Sequence, residues 1–262
     1  VSSFLHLANP TNAWRSFSRF RTSWLSREAV FAAALFPIAA LYIVLLANGS
    51  AWPSRALPAL ATGLIAWAVL LCTAMIYASL RPIRQWHTHW TPANYVLLGH
   101  WSGALLLAAI ASAYGMAPRP LLMLVGGLGV TSLAAKLAYW YTIGKSAPTT
   151  LAHAIGVDQG VRGPGALSVA QARLLDVGHS HGTFLTNEFG FVLARQHATT
   201  LRAVAVALAF GLPLLWLVAG GSRWQPALAA AACGIIGLLV ERWLFFAEAR
   251  HTVRLYHGDS RT

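Results

Sequence analysis

The chain has 262 residues, 57% of them hydrophobic and only 10% charged, with a formal net charge of +12. Soluble domains carry about 25% charged residues, so this composition, with a mean hydropathy of +0.58, excludes an ordinary water-soluble fold and points to the bilayer. The basic excess then reads as loops on a cytoplasmic face rather than as a nucleic-acid surface, because no basic run is interleaved with aromatics on a soluble domain.

The opening VSSFLHL reads as the tail of an apolar helix with no initiator methionine, so the natural chain is expected to begin upstream, with its N-terminal helices missing here. The segment that follows, with Trp14 and Trp24, reads as an interfacial crossing. Crossing a hydrocarbon core of ~30 Å takes about 20 apolar residues. Six stretches qualify: 29–47, 57–80, 95–114, 121–141, 201–220 and 226–246. None shows the alternation of a membrane barrel, so the expected fold is all-α, a polytopic transmembrane helix bundle forming a single domain over 1–262.

Pro37, Pro58 and Pro213 are predicted to kink their helices, and Gly126, Gly127, Gly129, Gly234 and Gly237 to supply small packing faces. Cys72 and Cys233 lie in apolar stretches without CxxC spacing and read as core residues; the chain is expected to hold no metal of its own. The long 142–200 connection has an irregular middle, GVRGPG, followed by LTNEFGFVLARQHATTLR. A cap at Thr186 or Asn187 and the apolar residues Phe189, Val192 and Leu193 predict an amphipathic surface helix that leads into the next span.

Arginines and lysines orient the chain. Arg15, Arg19, Arg21 and Arg27 precede the first complete span, Arg81 and Arg84 follow the second, Lys136 to Arg202 flank the 142–200 connection, and Arg242 to Arg261 close the chain. The alternate loops hold only Arg55, Arg119 and Arg223. By the positive-inside rule, residues 1–28, the 81–94 loop, the 142–200 connection and the C-terminus belong in the cytoplasm. All 7 acidic residues lie on the same side, which suggests a docking surface for a soluble partner.

Ionisable groups at membrane depth are costly, so they are the first candidates for function. His6, at the cytoplasmic end of the opening helix, and Glu28, at the start of the next, stand at similar depth. A histidine and a carboxylate there can hydrogen-bond the two oxygens of a quinone head and exchange its protons. From spacing alone a second reading stays open, in which His6 caps a helix and Glu28 pairs with a nearby arginine. Glu241 with Arg242 reads as an interfacial ion pair or as part of a proton path. His100 alone lies well inside a complete span, so no haem held by paired histidines is expected. His179 and His181 form a His-x-His in a polar loop and read as solvated.

The run FLHLANPTNAWRSFSRFRTSWLSREAV resembles the second-to-third helix signature of the membrane anchor subunit of dimethyl sulfoxide reductase and its relatives. WHTHWTPANYVLLGHWSGALLLA, LTNEFGFVLARQHATTLR and ERWLFFAEARHTVRLYHG resemble later blocks of that family, in the same order. The resemblance implies an eight-helix anchor, of which this chain shows six complete spans and the end of another. It implies a multi-pass subunit of the bacterial cytoplasmic (inner) membrane that exchanges electrons between a four-cluster iron–sulfur subunit and the quinone pool, ubiquinone or menaquinone. The substrate half-reaction is then carried by a molybdopterin catalytic subunit, so molybdopterin and iron–sulfur clusters belong only to the partners, and the chain's other contact is membrane lipid. The family's quinol-site histidine and glutamate fall on His6 and Glu28; from their own positions Arg15, Arg27, Trp24 and Glu241 are expected as supporting residues. Ala8 stands where relatives often have glycine, and Asn12 where many have arginine. The arginine-rich side favours a cytoplasmic catalytic partner, as in quinone-dependent sulfite dehydrogenases; an outward-facing reductase that oxidises quinol is the alternative, and a small-solute transporter the alternative of another class.

Overall fold

The computed structural model describes residues 14–145, 149–154, 192–219, 223–252 and 255. In chain order the helices are α1 (Arg15–Ser18), α2 (Trp24–Ala47), α3 (Trp52–Ala78), α4 (Trp90–Ala113), α5 (Arg119–Gly144), α6 (Leu151–Ala154), α7 (Val192–Gln196), α8 (Ala198–Val206), a π-helical turn (Ala207–Gly211), α9 (Leu212–Val218) and α10 (Trp224–Ala247). Six helical units are long and apolar enough to cross a membrane: α2, α3, α4, α5, the composite Ala198–Val218, and α10. The six complete spans expected from hydropathy are therefore present; the end of a further helix, expected at the start of the chain, lies outside the described residues.

Each span starts ahead of its hydropathy window. The α2 helix starts at Ser23, whose hydroxyl accepts from the Ser26 amide, and α3 starts with Pro53 in its first turn, where a missing N–H costs nothing. The α2 and α3 helices continue through Pro37 and Pro58 without ending. Large apolar residues such as Phe36, Leu64, Leu124 and Leu239 face outward, as lipid contact requires.

The α4 helix is central, packing against α3, α5 and α10, while α2 packs on α3. The core of this half is Trp101, Leu105, Val125 and Phe210, all at most 1% exposed. Pro213 cannot donate to the carbonyl of Ala209, four residues earlier, and that carbonyl instead accepts from Trp101 Nε1 at 3.0 Å. The π turn places its backbone directly against α10, where a Cβ on Gly237 would collide with the backbone of Ala209 and Leu208. The predicted small face of α10 is thus a backbone-to-backbone contact at Gly237, while Gly234 makes room for the Leu105 side chain. Cross-helix bonds from Asn94 Nδ2 to Ala135 O (3.3 Å) and from Ser132 Oγ to Leu97 O (3.2 Å) fasten α4 to α5.

Short connections make the successive spans α2 to α5 antiparallel, so the N-terminus of α2, the loop after α3 and the C-terminus of α5 share one end of the bundle, and contacts of the C-terminus of α10 place it there too. Trp86 of that loop donates to Phe245 O at 2.9 Å, and Arg202 at the start of α8 pairs with Glu248 just after α10. Arg55, Arg119 and Arg223 begin α3, α5 and α10 at the opposite end. Lys136 corrects one detail of the charge reading. Although it falls near the loop in sequence, it is 1% exposed within α5 and is an internal charge.

Candidate functional site

Glu28 stands one turn inside α2 at the basic end, half-buried against α3. Its Oε1 accepts from the Thr73 hydroxyl at 2.5 Å, and that hydroxyl also lies 3.0 Å from the carbonyl of Val69. A hydroxyl has one proton, so these two acceptors share it. Among the described residues no arginine forms an ion pair with Glu28. Arg27, the nearest candidate for such a pair, turns away: its guanidinium donates to Phe20 O (2.9 Å) and Arg21 O (2.8 Å) and lies 4.1 Å over the Trp24 ring. Arg27 and Trp24 therefore fix the entry to α2. Arg15 sits exposed in α1 with its guanidinium 5.8 Å from the Trp14 ring. His6 lies outside the described residues.

A second constellation occupies the same end of the bundle. Glu241 on α10 is 1% exposed and is held by two cations. Lys136 reaches it from α5, and Arg242 donates to it through Nε (2.6 Å) and Nη2 (2.9 Å). Lys136 also lies over the rings of Tyr139 and Trp140, and Arg242 over those of Tyr95 and Phe245. Aromatic faces of this kind stabilise cations withdrawn from water. The reading of Glu241 and Arg242 as an ion pair is right in its partners, but the pair is internal and has a third member.

Towards the aqueous face, Glu248 accepts from Arg202 at 2.8 Å, yet burial outweighs the arginine and holds its carboxyl above the ordinary glutamate range. Burial likewise lowers the His251 imidazole. Gln85, Arg195, Arg202, Glu248 and Arg250 line a polar cavity of about 330 Å³ there. Arg195 caps the end of α10 by donating to Ala247 O and Ala249 O.

His100 is exposed on α4, with Nδ1 2.7 Å from Val96 O. His87 places Nδ1 2.6 Å from Ala78 O, the last residue of α3. His179 and His181 lie outside the described residues. Among the described residues no group of three or more histidine, cysteine, aspartate or glutamate side chains is arranged to hold a metal ion.

Thr73 and Tyr95 are not singled out by the sequence, and Lys136 stands out in it only as a charge flanking the 142–200 connection. A threonine in an apolar span carries no signal of its own. The clue to Lys136 is its depth, within about one helical turn of that of Glu241 when each is measured from the basic end of its helix.

The family model described as the DMSO reductase anchor subunit (DmsC) matches residues 1–247. A sulfite dehydrogenase subunit of Allochromatium vinosum is 34% identical over 98% of this chain and 80% of its own length. No solved structure matches the chain significantly.

Proposed function

Because the chain belongs to the DMSO reductase anchor subunit family, we propose that it is the quinone-reactive membrane anchor of a molybdopterin oxidoreductase, and specifically of a quinone-dependent sulfite dehydrogenase. The observation that carries the quinone site is Glu28: a half-buried carboxylate at the basic end, bonded to Thr73 and not neutralised by an arginine among the described residues. Such a group can take up and release a proton at the depth of a quinone head. The substrate follows from the relative named as a sulfite dehydrogenase subunit.

In this reading, sulfite and water yield sulfate, two electrons and two protons at the molybdopterin partner, and the electrons cross an iron–sulfur partner to the bundle. Quinone supplies a carrier that takes two electrons and two protons at a ring with two acceptor oxygens. The chain's residues fit it: Glu28 accepts or donates a proton at one ring oxygen, Thr73 orients that carboxylate, and His6 serves the other oxygen. Arg27 and Trp24 brace the first turn of α2, so the carboxylate stays in place as its charge changes. The basic end faces the cytoplasm of a bacterial cell, the partners dock there, and the C-terminus is cytoplasmic.

Purification through this chain from native membranes tests the reading. The expected product is a complex with iron–sulfur and molybdopterin subunits that reduces quinone when given sulfite. A complex that oxidises quinol with dimethyl sulfoxide would reverse the direction of electron flow, and recovery of the chain without redox subunits would defeat the proposal.

A further inference from the structure

We infer that the quinone ring is seated in the cavity between α3, α4 and α10, with Arg242 and Tyr95 as its contacts on the side away from Glu28. This inference rests on the quinone reading above and adds a location and two contact residues to it.

The cavity measures about 260 Å³, and its lining includes Leu70, Gly99, Ser102, Leu238, Tyr95 and Arg242. Leu239, 63% exposed, also lines it, so the cavity reaches the lipid-facing surface of the bundle. Its walls are apolar and its polar groups converge at one end, the composition of a site for a flat apolar ring with a few acceptor atoms. Gly99 lets α3 pack closely on α4 at the floor of the cavity: a Cβ there would come within 2.8 Å of the Leu70 side chain. The Ser102 hydroxyl folds back onto Gly99 O at 2.8 Å, which leaves that wall apolar.

The polar end is electropositive. Glu241, which also lines the cavity, is one carboxylate shared by Lys136 and Arg242, so the three groups together carry a net positive charge. Two of the five guanidinium N–H groups of Arg242 go to Glu241, which fixes the plane of the guanidinium, and the arginine remains 26% exposed. A fixed cation in a medium of low dielectric favours an acceptor oxygen that gains negative charge.

The cavity also adjoins the Glu28 site. Leu70, Thr73 and Tyr77 lie at helical spacing on one face of α3. Leu70 lines the cavity, Thr73 bonds Glu28, and Tyr77 stacks on Tyr95 at 5.7 Å with an interplanar angle of 17°. One stripe of α3 thus lies between the carboxylate and the cation, so a ring lying along it presents one oxygen to Glu28 and the other, which has two lone pairs, to Arg242 as well as to His6.

The assembled complex provides the test, with dye-linked sulfite turnover as the control for assembly. Ser102→Phe, which fills the cavity and leaves the ion cluster intact, should raise KM for a short-chain ubiquinone at least about tenfold, as loss of one well-placed contact of about 1.4 kcal/mol does. Arg242→Gln should raise KM similarly, and Arg242→Lys should recover part of the loss. A photoreactive ubiquinone should label peptides containing Tyr95 or Arg242. Wild-type KM in both Ser102→Phe and Arg242→Gln, with turnover lost in Glu28→Gln, would overturn the seat while leaving the quinone reading intact. Unchanged quinone turnover in Glu28→Gln would overturn that reading as well. Labelling of the cavity by a photoreactive phospholipid and not by the quinone would make it a lipid site and overturn the inference.

Discussion

At the scale of single residues, the bundle holds a small number of charges whose pairing is asymmetric. Glu241 serves two cations, so its loss leaves both without their carboxylate, whereas loss of Lys136 leaves Glu241 still bonded to Arg242. Removing one partner of a buried pair typically costs about 3–5 kcal/mol. Glu241→Leu is expected to lie in that range and Lys136→Met well below it, measured as thermal unfolding in detergent; equal losses would show that the two cations are not shared as described. Glu248 gives a pH signature. Its carboxyl is raised by burial, so its contribution to folding is complete below the unfolded value and fades as pH rises through the folded one. Glu248→Gln retains an acceptor for Arg202 and does not ionise, so its stability relative to the parent should grow as pH rises above the ordinary glutamate range. A constant difference as pH rises would contradict the assignment. The sequence revealed Glu28 and Glu241 because a carboxylate in an apolar run is conspicuous; it did not reveal Thr73 or Tyr95, whose roles depend on which helix faces they share.

At the scale of elements, hydropathy located all six spans but placed several boundaries inside the helices. It marks where the chain crosses hydrocarbon, while the helices extend about a turn further, through polar starts such as Trp90–Asn94 and the Ser23 cap, because backbone groups near the interface are still best satisfied within the helix. The π turn was illegible, since it arises from packing: α10 approaches so closely at Gly237 that only a bare backbone fits against Ala209. Pro213 was read as a source of bending, and its physical consequence is the freed Ala209 carbonyl that Trp101 occupies. Gly237→Leu is therefore expected to abolish stable insertion of the composite 198–218 span, seen as protease sensitivity of the membrane-embedded chain, and Gly237→Ala to destabilise by about 1–3 kcal/mol. Trp101→Phe keeps most of the packing but leaves the Ala209 carbonyl without its donor, at a cost of about 1–3 kcal/mol. A neutral Gly237→Leu would refute the close contact.

At the scale of the whole molecule, antiparallel spans gather Glu28, the Lys136–Glu241–Arg242 cluster, the cavity beside it and the Arg202–Glu248 pair at one end, so the basic residues of that end also surround the candidate site. If that end is cytoplasmic, a reporter or tag at the C-terminus is reached only from the cytoplasmic side; access from the opposite side would invert the topology and remove the argument for a cytoplasmic partner. A basic face attracts an acidic one, so in the proposed complex the association of the partner subunits with this end should weaken as salt rises. The six spans were legible because apolar length answers to the thickness of the bilayer as a whole, while the candidate site was only half legible, because it is assembled from helices that meet only after folding. The central claim is that Glu28 exchanges protons with a quinone. It is tested most directly by the ratio of quinone-linked to dye-linked turnover in the purified complex carrying Glu28→Gln. This ratio is expected to fall at least about a hundredfold, in keeping with the 10²–10⁴ contribution of a positioned acid or base, while dye-linked turnover is retained; an unchanged ratio would contradict the claim.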